Sequence, residues 1–145
     1  MTTMAAILKR KPMALISVQP ETRIRDVVAL LAEKRIGAVV VQSAENDLLG
    51  ILSERDVVRS LAANGAATLD MQTSQLMTRA PTTATPATTV LEAENLMTDG
   101  RFRHLPIVDG GKLIGVVSIG DVVKSLIEVQ THEVRSLREY VNGGV

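Results

Sequence analysis

Two short motifs carry the residues of this chain best suited to recognising a small molecule. Ser53-Glu54-Arg55-Asp56 and Ser118-Ile119-Gly120-Asp121 each place an aspartate three residues after a serine, directly behind an apolar stretch, Gly50-Ile51-Leu52 and Gly115-Val116-Val117. An ionised aspartate is an acceptor with two oxygens, suited to the adjacent 2′ and 3′ hydroxyls of a ribose. A helix opening at the serine would add free N–H groups and a positive dipole end for phosphate. Arg55 and Arg103 could supply charge-assisted hydrogen bonds. The same spacing is also a helix cap that needs no ligand. Its use twice, after equivalent strands, favours a ligand role beside the cap. Arg55 could instead pair with Glu54 or Asp56, and Arg103 and His104 could be a solvated cation and a packed ring.

No catalytic constellation accompanies these motifs. The chain has no cysteine and only two histidines, which excludes a thiol nucleophile, a disulfide framework and Cys-ligated zinc, and makes a histidine-rich metal site improbable. A Walker-type loop and a nucleophile elbow are absent from the sequence. Glu92 and Glu94 do not face each other on a helix. Met71, Met77 and Met97 read as core filler.

The motifs sit inside an internal repeat. Pro20-Glu21-Thr22 matches Pro86-Ala87-Thr88, and at that offset Ile24 meets Val90, Asp26 meets Glu92 and Arg35 meets Arg101. After one deletion, 48–61 matches 113–126, where eight of the 14 positions are identical (Leu, Gly, Ser, Asp, Val, Val, Ser, Leu). Each unit predicts an extended segment (15–18; 82–85) leading into a proline. A helix follows over 23–34 or 89–99, capped by Thr22 or Thr88, with apolar residues at helical spacing. Two strands, 38–41 with 48–52 and 105–108 with 113–117, then form a hairpin. A helix opened by Ser53 or Ser118 closes the unit. Residues 62–75, rich in Ala, Gly, Thr and Asn, read as a connector.

The run Arg103-His104-Leu105-Pro106-Ile107-Val108-Asp109, the Leu-Ile-Gly-Val-Val strand and Ser118-Ile119-Gly120-Asp121 resemble the signature of a CBS domain, and Gly50-Ile51-Leu52-Ser53-Glu54-Arg55-Asp56 resembles its counterpart. The resemblance covers about 7–129 and is to a tandem pair, or Bateman module. It departs where Val40 stands for Pro106 and Gly37-Ala38 for Arg103-His104. It implies an α/β fold of two βαββα repeats packed sheet to sheet with pseudo-two-fold symmetry. The expected boundaries are 7–64 for the first repeat, 65–75 for the connector, 76–130 for the second repeat and 131–145 for a C-terminal helical extension. Such modules bind adenosyl ligands, and the resemblance implies two clefts. One would use Ser53, Arg55 and Asp56 with Thr82, Phe102, Arg103, His104 and Pro106. The other would use Ser118, Gly120 and Asp121 with Leu15, Ile16, Ile36, Gly37 and Ala38. The expected cofactor is an adenine nucleotide (AMP, ADP or ATP), with NAD a further possibility. A vestigial, purely protein-binding module and an S-adenosylmethionine sensor are the alternatives.

Composition bounds the rest. Lys plus Arg and Asp plus Glu both number 16, so a nucleic acid is not expected as main ligand. Only Phe102 and Tyr140 are aromatic, which disfavours base stacking. No apolar run spans a bilayer and no signal peptide is evident, so a cytoplasmic protein with no membrane partner is expected. A homodimer is expected from apolar helix faces carrying Val57, Leu61, Val122 and Leu126, with a protein target the sequence does not name. Val123, Ile127, Gln130, Val134, Leu137 and Val141 form a heptad seam that continues past the second repeat, to Asn142-Gly143-Gly144. It could pack on the same chain or on a second copy.

Overall fold

The computed structural model describes residues 2–11 and 15–143. In chain order the elements are α1 (Met4–Arg10), β1 (Ser17–Val18), α2 (Ile24–Lys34), β2 (Ala38–Gln42), β3 (Leu48–Ser53), α3 (Glu54–Asn64), a 3-10 turn (Gly65–Asp70), α4 (Thr73–Leu76), β4 (Thr78–Arg79), α5 (Val90–Gly100), β5 (His104–Asp109), β6 (Lys112–Ser118) and α6 (Ile119–Gly143). They form two compact units. The first-repeat unit is Ala14–Pro81; the second-repeat unit joins Met1–Met13 to Thr82–Val145.

In the first-repeat unit the sheet order is β1-β2-β3-β4, with β1 parallel to β2 and the other pairs antiparallel. Ile24, Val27 and Leu31 on one face of α2 meet Val39, Val41, Leu52 and Val57, and all seven are buried. In the second-repeat unit β5 pairs with β6, and Ala84 takes the place of β1 as an isolated parallel bridge to Ile107. Its core gathers Val90, Ala93, Met97, Leu105, Ile107, Val117 and Val122. Both α2 and α5 end on an arginine in the left-handed region, Arg35 (φ 54°) and Arg101 (φ 56°), so the repeat extends to the helix stop. Asn46 (φ 68°) in one hairpin turn and Gly110 (φ 57°) and Gly111 (φ 82°) in the other hold the positive φ that the tight reversals need.

The segments that enter each repeat are exchanged. In the second-repeat unit Met4 N–H donates to Thr88 O (2.9 Å), Ala5 N–H to Pro86 O (3.0 Å) and Val90 N–H to Thr2 O (3.0 Å). The first-repeat unit repeats this pattern: Thr73 N–H donates to Thr22 O (2.8 Å), Ser74 N–H to Pro20 O (3.0 Å) and Ile24 N–H to Met71 O (2.9 Å). Thus α1, which precedes the first repeat in sequence, seals the core of the second with the fully buried Met4 and the buried Ile7. The connector seals the first, with Met71, Leu76 and Met77 against its core. That connector is folded: Thr68 is buried, and its hydroxyl lies 2.8 Å from that of Ser60.

Three expectations are corrected. The N-caps of α2 and α5 are Arg23 and Thr89, not Thr22 and Thr88. The hydroxyls of Thr22 and Thr88 instead accept from Gln19 N–H (3.2 Å) and Thr85 N–H (3.0 Å), bracing the turn around each proline. The extended segments are shorter than read, with two residues in β1 and a single bridge at Ala84. Val57 and Val122 do not offer an exposed face, because each is buried in the core of its own unit and Leu126 packs beside Val122. Exposed apolar residues of these helices include Val58, Leu61, Val123 and Ile127, with Val129, Val134 and Leu137 farther along α6.

Because Met4 is a core residue of the second repeat, Met4→Ala should cost about 2–5 kcal/mol in denaturant unfolding despite its place near the start of the chain. A cost within about 0.5 kcal/mol, the range of an ordinary surface change, would refute that role.

Candidate functional site

Each unit builds the same constellation where its second hairpin strand passes into a helix. In the first-repeat unit Ala38 pairs with Ser53 across the hairpin, and Glu54 N–H donates to Gly37 O (2.9 Å). In the second, His104 pairs with Ser118, and Ile119 N–H donates to Arg103 O (2.8 Å). These contacts bring Gly37, Ala38, Ser53 and Asp56 together at one sheet end, and Arg103, His104, Ser118 and Asp121 at the other.

Both serines are helix caps. Ser53 N–H and the Ser53 hydroxyl donate to Asp56 Oδ2 (2.9 and 3.1 Å), and Asp56 N–H donates to Ser53 Oγ (3.4 Å). Ser118 N–H donates to Asp121 Oδ2 (2.8 Å), and Asp121 N–H to Ser118 Oγ (3.2 Å). The cap therefore spends one carboxylate oxygen in each case. Among the described residues Oδ1 of Asp56 and of Asp121 accepts no hydrogen bond, and no buried side-chain polar atom lacks a partner, so both Oδ1 atoms reach solvent. Each is an acceptor held rigidly by its neighbour and open on its other side.

The two acids differ in one respect that the sequence did not reveal. Lys11 Nζ donates to Asp121 Oδ2 (2.7 Å) and to Val116 O (3.0 Å), and both partners of the ion pair are about one-quarter exposed. Asp56 has no cationic partner among the described residues. Burial alone would raise the Asp121 carboxyl, but the hydrogen bond and charge of Lys11 and the N–H of Ser118 outweigh it, holding the group below the usual carboxylate range. Lys11 and Asp121 are 110 positions apart, and no local pattern links them.

The remaining candidates distribute as follows. Arg55, Arg103, Thr82 and Gly120 are exposed, and neither arginine forms an ion pair among the described residues. Leu15 is exposed, whereas Ile16 and Ile36 pack against the first-repeat core. Phe102 packs against the second-repeat core. His104 is half-buried, and Pro106 is buried opposite Val116. Ser53, Arg55 and Asp56 belong to the first-repeat unit; Thr82, Phe102, Arg103, His104 and Pro106, grouped with them in sequence, belong to the second. Among the described residues no group of three or more His, Cys, Asp or Glu side chains could hold a metal, and no helix is long and apolar enough to cross a membrane.

Two such units, each with a capped aspartate behind a βαββ framework, match the family model of the CBS domain at residues 6–63 and 74–128. The chain belongs to the CBS domain family, as a tandem pair. It is 37% identical over 123 residues to the mitochondrial CBS domain-containing protein CBSX3 of Arabidopsis thaliana, covering 82% of this chain and 60% of that protein's length. A CBS-domain-containing protein from Agrobacterium tumefaciens superposes with a TM-score of 0.82 at 40% identity, covering 85% of this chain and 92% of that one. A CBS domain protein from Pyrobaculum aerophilum, solved complexed with AMP, superposes with a TM-score of 0.73 at 26% identity, covering 82% and 88%.

The Lys11–Asp121 pair makes stability depend on pH in a defined direction. The unfolded carboxyl takes up its proton near pH 3.9, while the folded one stays ionised to lower pH. The stabilisation is therefore complete above that value and is lost as pH falls through the folded pKa. Asp121→Asn should flatten the acid limb of the stability-against-pH curve, and so should Lys11→Met. Unfolding curves of wild type and variants that stay parallel from neutral to acid pH would refute the assignment.

Proposed function

We propose that this chain is a regulatory module, not an enzyme, that binds an adenosine nucleotide through its repeated aspartates and signals occupancy to a protein target in the cytoplasm. One observation carries the reading. In both repeats the cap fixes the carboxylate by one oxygen and leaves the other open beside a helix N-terminus, an arrangement suited to a ribose diol with phosphate nearby. The AMP complex of the Pyrobaculum relative supports an adenosine ligand. Arg55 and Arg103, exposed and without an ion pair among the described residues, favour AMP, ADP or ATP, with NAD next, over the sulfonium of S-adenosylmethionine. Ser53, Ser118, Gly120, Thr82, Phe102, His104 and Pro106, with the backbone of Leu15, Ile16, Ile36, Gly37 and Ala38, complete the proposed binding set.

The asymmetry of counter-charge sets the order of the sites. At Asp121 the carboxylate charge is already countered by Lys11 on Oδ2, whereas Asp56 offers its open oxygen with no cationic partner among the described residues. The Asp56 repeat is therefore the tighter site for a mononucleotide, with the stronger salt dependence.

A second reading is favoured by the caps themselves: both carboxylates already have a structural task, so the module could be a constitutive interaction domain. Thermal shift separates the two, because a ligand of the native state must raise its melting temperature. AMP or ATP should stabilise the protein, and no shift with AMP, ATP, NAD or S-adenosylmethionine would favour the second reading. In calorimetry Asp56→Ala and Asp121→Ala should each lose about 1.5–3 kcal/mol at one site. Unchanged affinity in the double variant would overturn the ribose assignment.

A further inference from the structure

Sulfur chemistry in this chain rests on thioethers alone, because it has six methionines and no cysteine. Met1 and Met13 lie outside the described residues. The other four divide by unit. Met4 and Met97, in the second-repeat core, are 0% and 2% exposed, so an oxidant in solution reaches neither sulfur. Met71 and Met77 are half-buried, and both belong to the connector that closes the first-repeat unit. The two closures thus differ in kind. One is sealed by a shielded methionine and Ile7, the other by two thioethers at the edge of solvent.

The surroundings of both sulfurs are sensitive to an added oxygen. Met71 Sδ accepts a hydrogen bond from the Ser60 hydroxyl (3.7 Å). Ser60 Oγ lies 2.8 Å from Thr68 Oγ1 and accepts from Asn64 Nδ2 (3.1 Å). With Thr68 and Asn64 donating to it, the single proton of Ser60 is directed at the sulfur, a weak acceptor. A sulfoxide oxygen is a far stronger acceptor and would draw that hydroxyl to itself. Ser60 sits on α3, the helix whose cap holds Asp56. Met77 Sδ lies against the backbone of Gly50, so close that a Cβ there would be 2.9 Å from it. An oxygen on either sulfur needs room that the connector now fills. Beside these side chains run the bonds that anchor the connector, from Thr73 N–H to Thr22 O (2.8 Å) and from Ile24 N–H to Met71 O (2.9 Å).

We propose that Met71 and Met77 are a reversible oxidation site through which hydrogen peroxide loosens the first repeat and spares the second. A sulfur lone pair attacks one peroxide oxygen, and the O–O bond breaks as the S–O bond forms. The sulfur is oxidised to the sulfoxide, and the other oxygen takes up a proton and leaves as water. The polar sulfoxide no longer suits the apolar core, so the connector lifts; no nucleotide is involved.

Hydrogen peroxide should oxidise Met71 and Met77 at least about tenfold faster than Met4 and Met97, read peptide by peptide in mass spectrometry, because buried sulfurs react only when the structure opens. Treated wild type should lose at least about 3 °C in melting temperature, and methionine sulfoxide reductase with a thiol reductant should restore it. After treatment, hydrogen exchange should quicken at the amides of Ile24 and Thr73 and not at those of Met4 and Val90. Met71→Leu/Met77→Leu retains Met1, Met4, Met13 and Met97, and should melt at the same temperature before and after treatment. Met71→Gln/Met77→Gln, with a polar amide in place of the sulfoxide, should reproduce the oxidised melt without peroxide. Equal oxidation of the four described methionines, or a treated wild type that melts unchanged, would overturn the proposal. So would equal quickening of exchange in both units, or a leucine variant that loses as much stability on treatment as the wild type.

Discussion

A repeat of about 50 residues buries too little apolar surface to be stable on its own sheet and two helices, and in this chain the deficit is met by exchange. The short antiparallel bridges Thr3–Thr89 and Arg23–Gln72 anchor the incoming segments. From those anchors Met4 and Ile7 reach the core of the second repeat, and Met71, Leu76 and Met77 that of the first. Everything described at the strand-to-helix junctions rests on these closures. Gly50 and Gly115 show how tightly: a Cβ on Gly50 would lie 2.6 Å from Thr78 O, and one on Gly115 2.7 Å from Leu8 Cδ2. At equivalent glycines the two repeats admit different closing pieces, a strand in one and a helix in the other.

That difference is what breaks the equivalence of the two aspartates. In the first-repeat unit β4 pairs with β3 along Gly50 and Ile51. In the second-repeat unit α1 stands in this region, and the lysine at its end donates to the corresponding Val116 carbonyl and to Asp121. One ammonium thus substitutes for a strand hydrogen bond and supplies a counter-charge to the carboxylate. Duplication produced two like junctions, and the choice of closing segment made them electrostatically unlike.

The repeat itself, the hairpins and the serine caps were legible because each rests on local chemistry: the Leu-Gly and Asp-Val-Val-x-Ser-Leu identities, turn residues at fixed spacing and hydroxyls before apolar runs. Helix starts were misplaced by one residue because Thr22 and Thr88 carry the hydroxyl a cap would use, and only the turn geometry shows that each braces the proline turn, leaving Arg23 and Thr89 as the N-caps. The inward faces at Val57 and Val122 were misread because Val-Val pairs carry no phase; Val58 and Val123 face solvent instead. Lys11 was missed for a deeper reason. Its role depends on which unit the first eleven residues join, and no periodicity in those residues encodes that.

The exchange also gives the two halves different lives during synthesis. The first-repeat unit is one uninterrupted stretch, Ala14–Pro81, whereas the second is split around it. On a ribosome working from the N-terminus, the first-repeat unit has all its parts once Pro81 has emerged. The opening helix, with Met4 and Ile7, must by contrast wait through the making of a whole neighbouring unit for the strands that will cover it. Met4 and Ile7 are therefore among the last core residues of the second-repeat unit to find their place, and they stay uncovered until β5 and β6 appear.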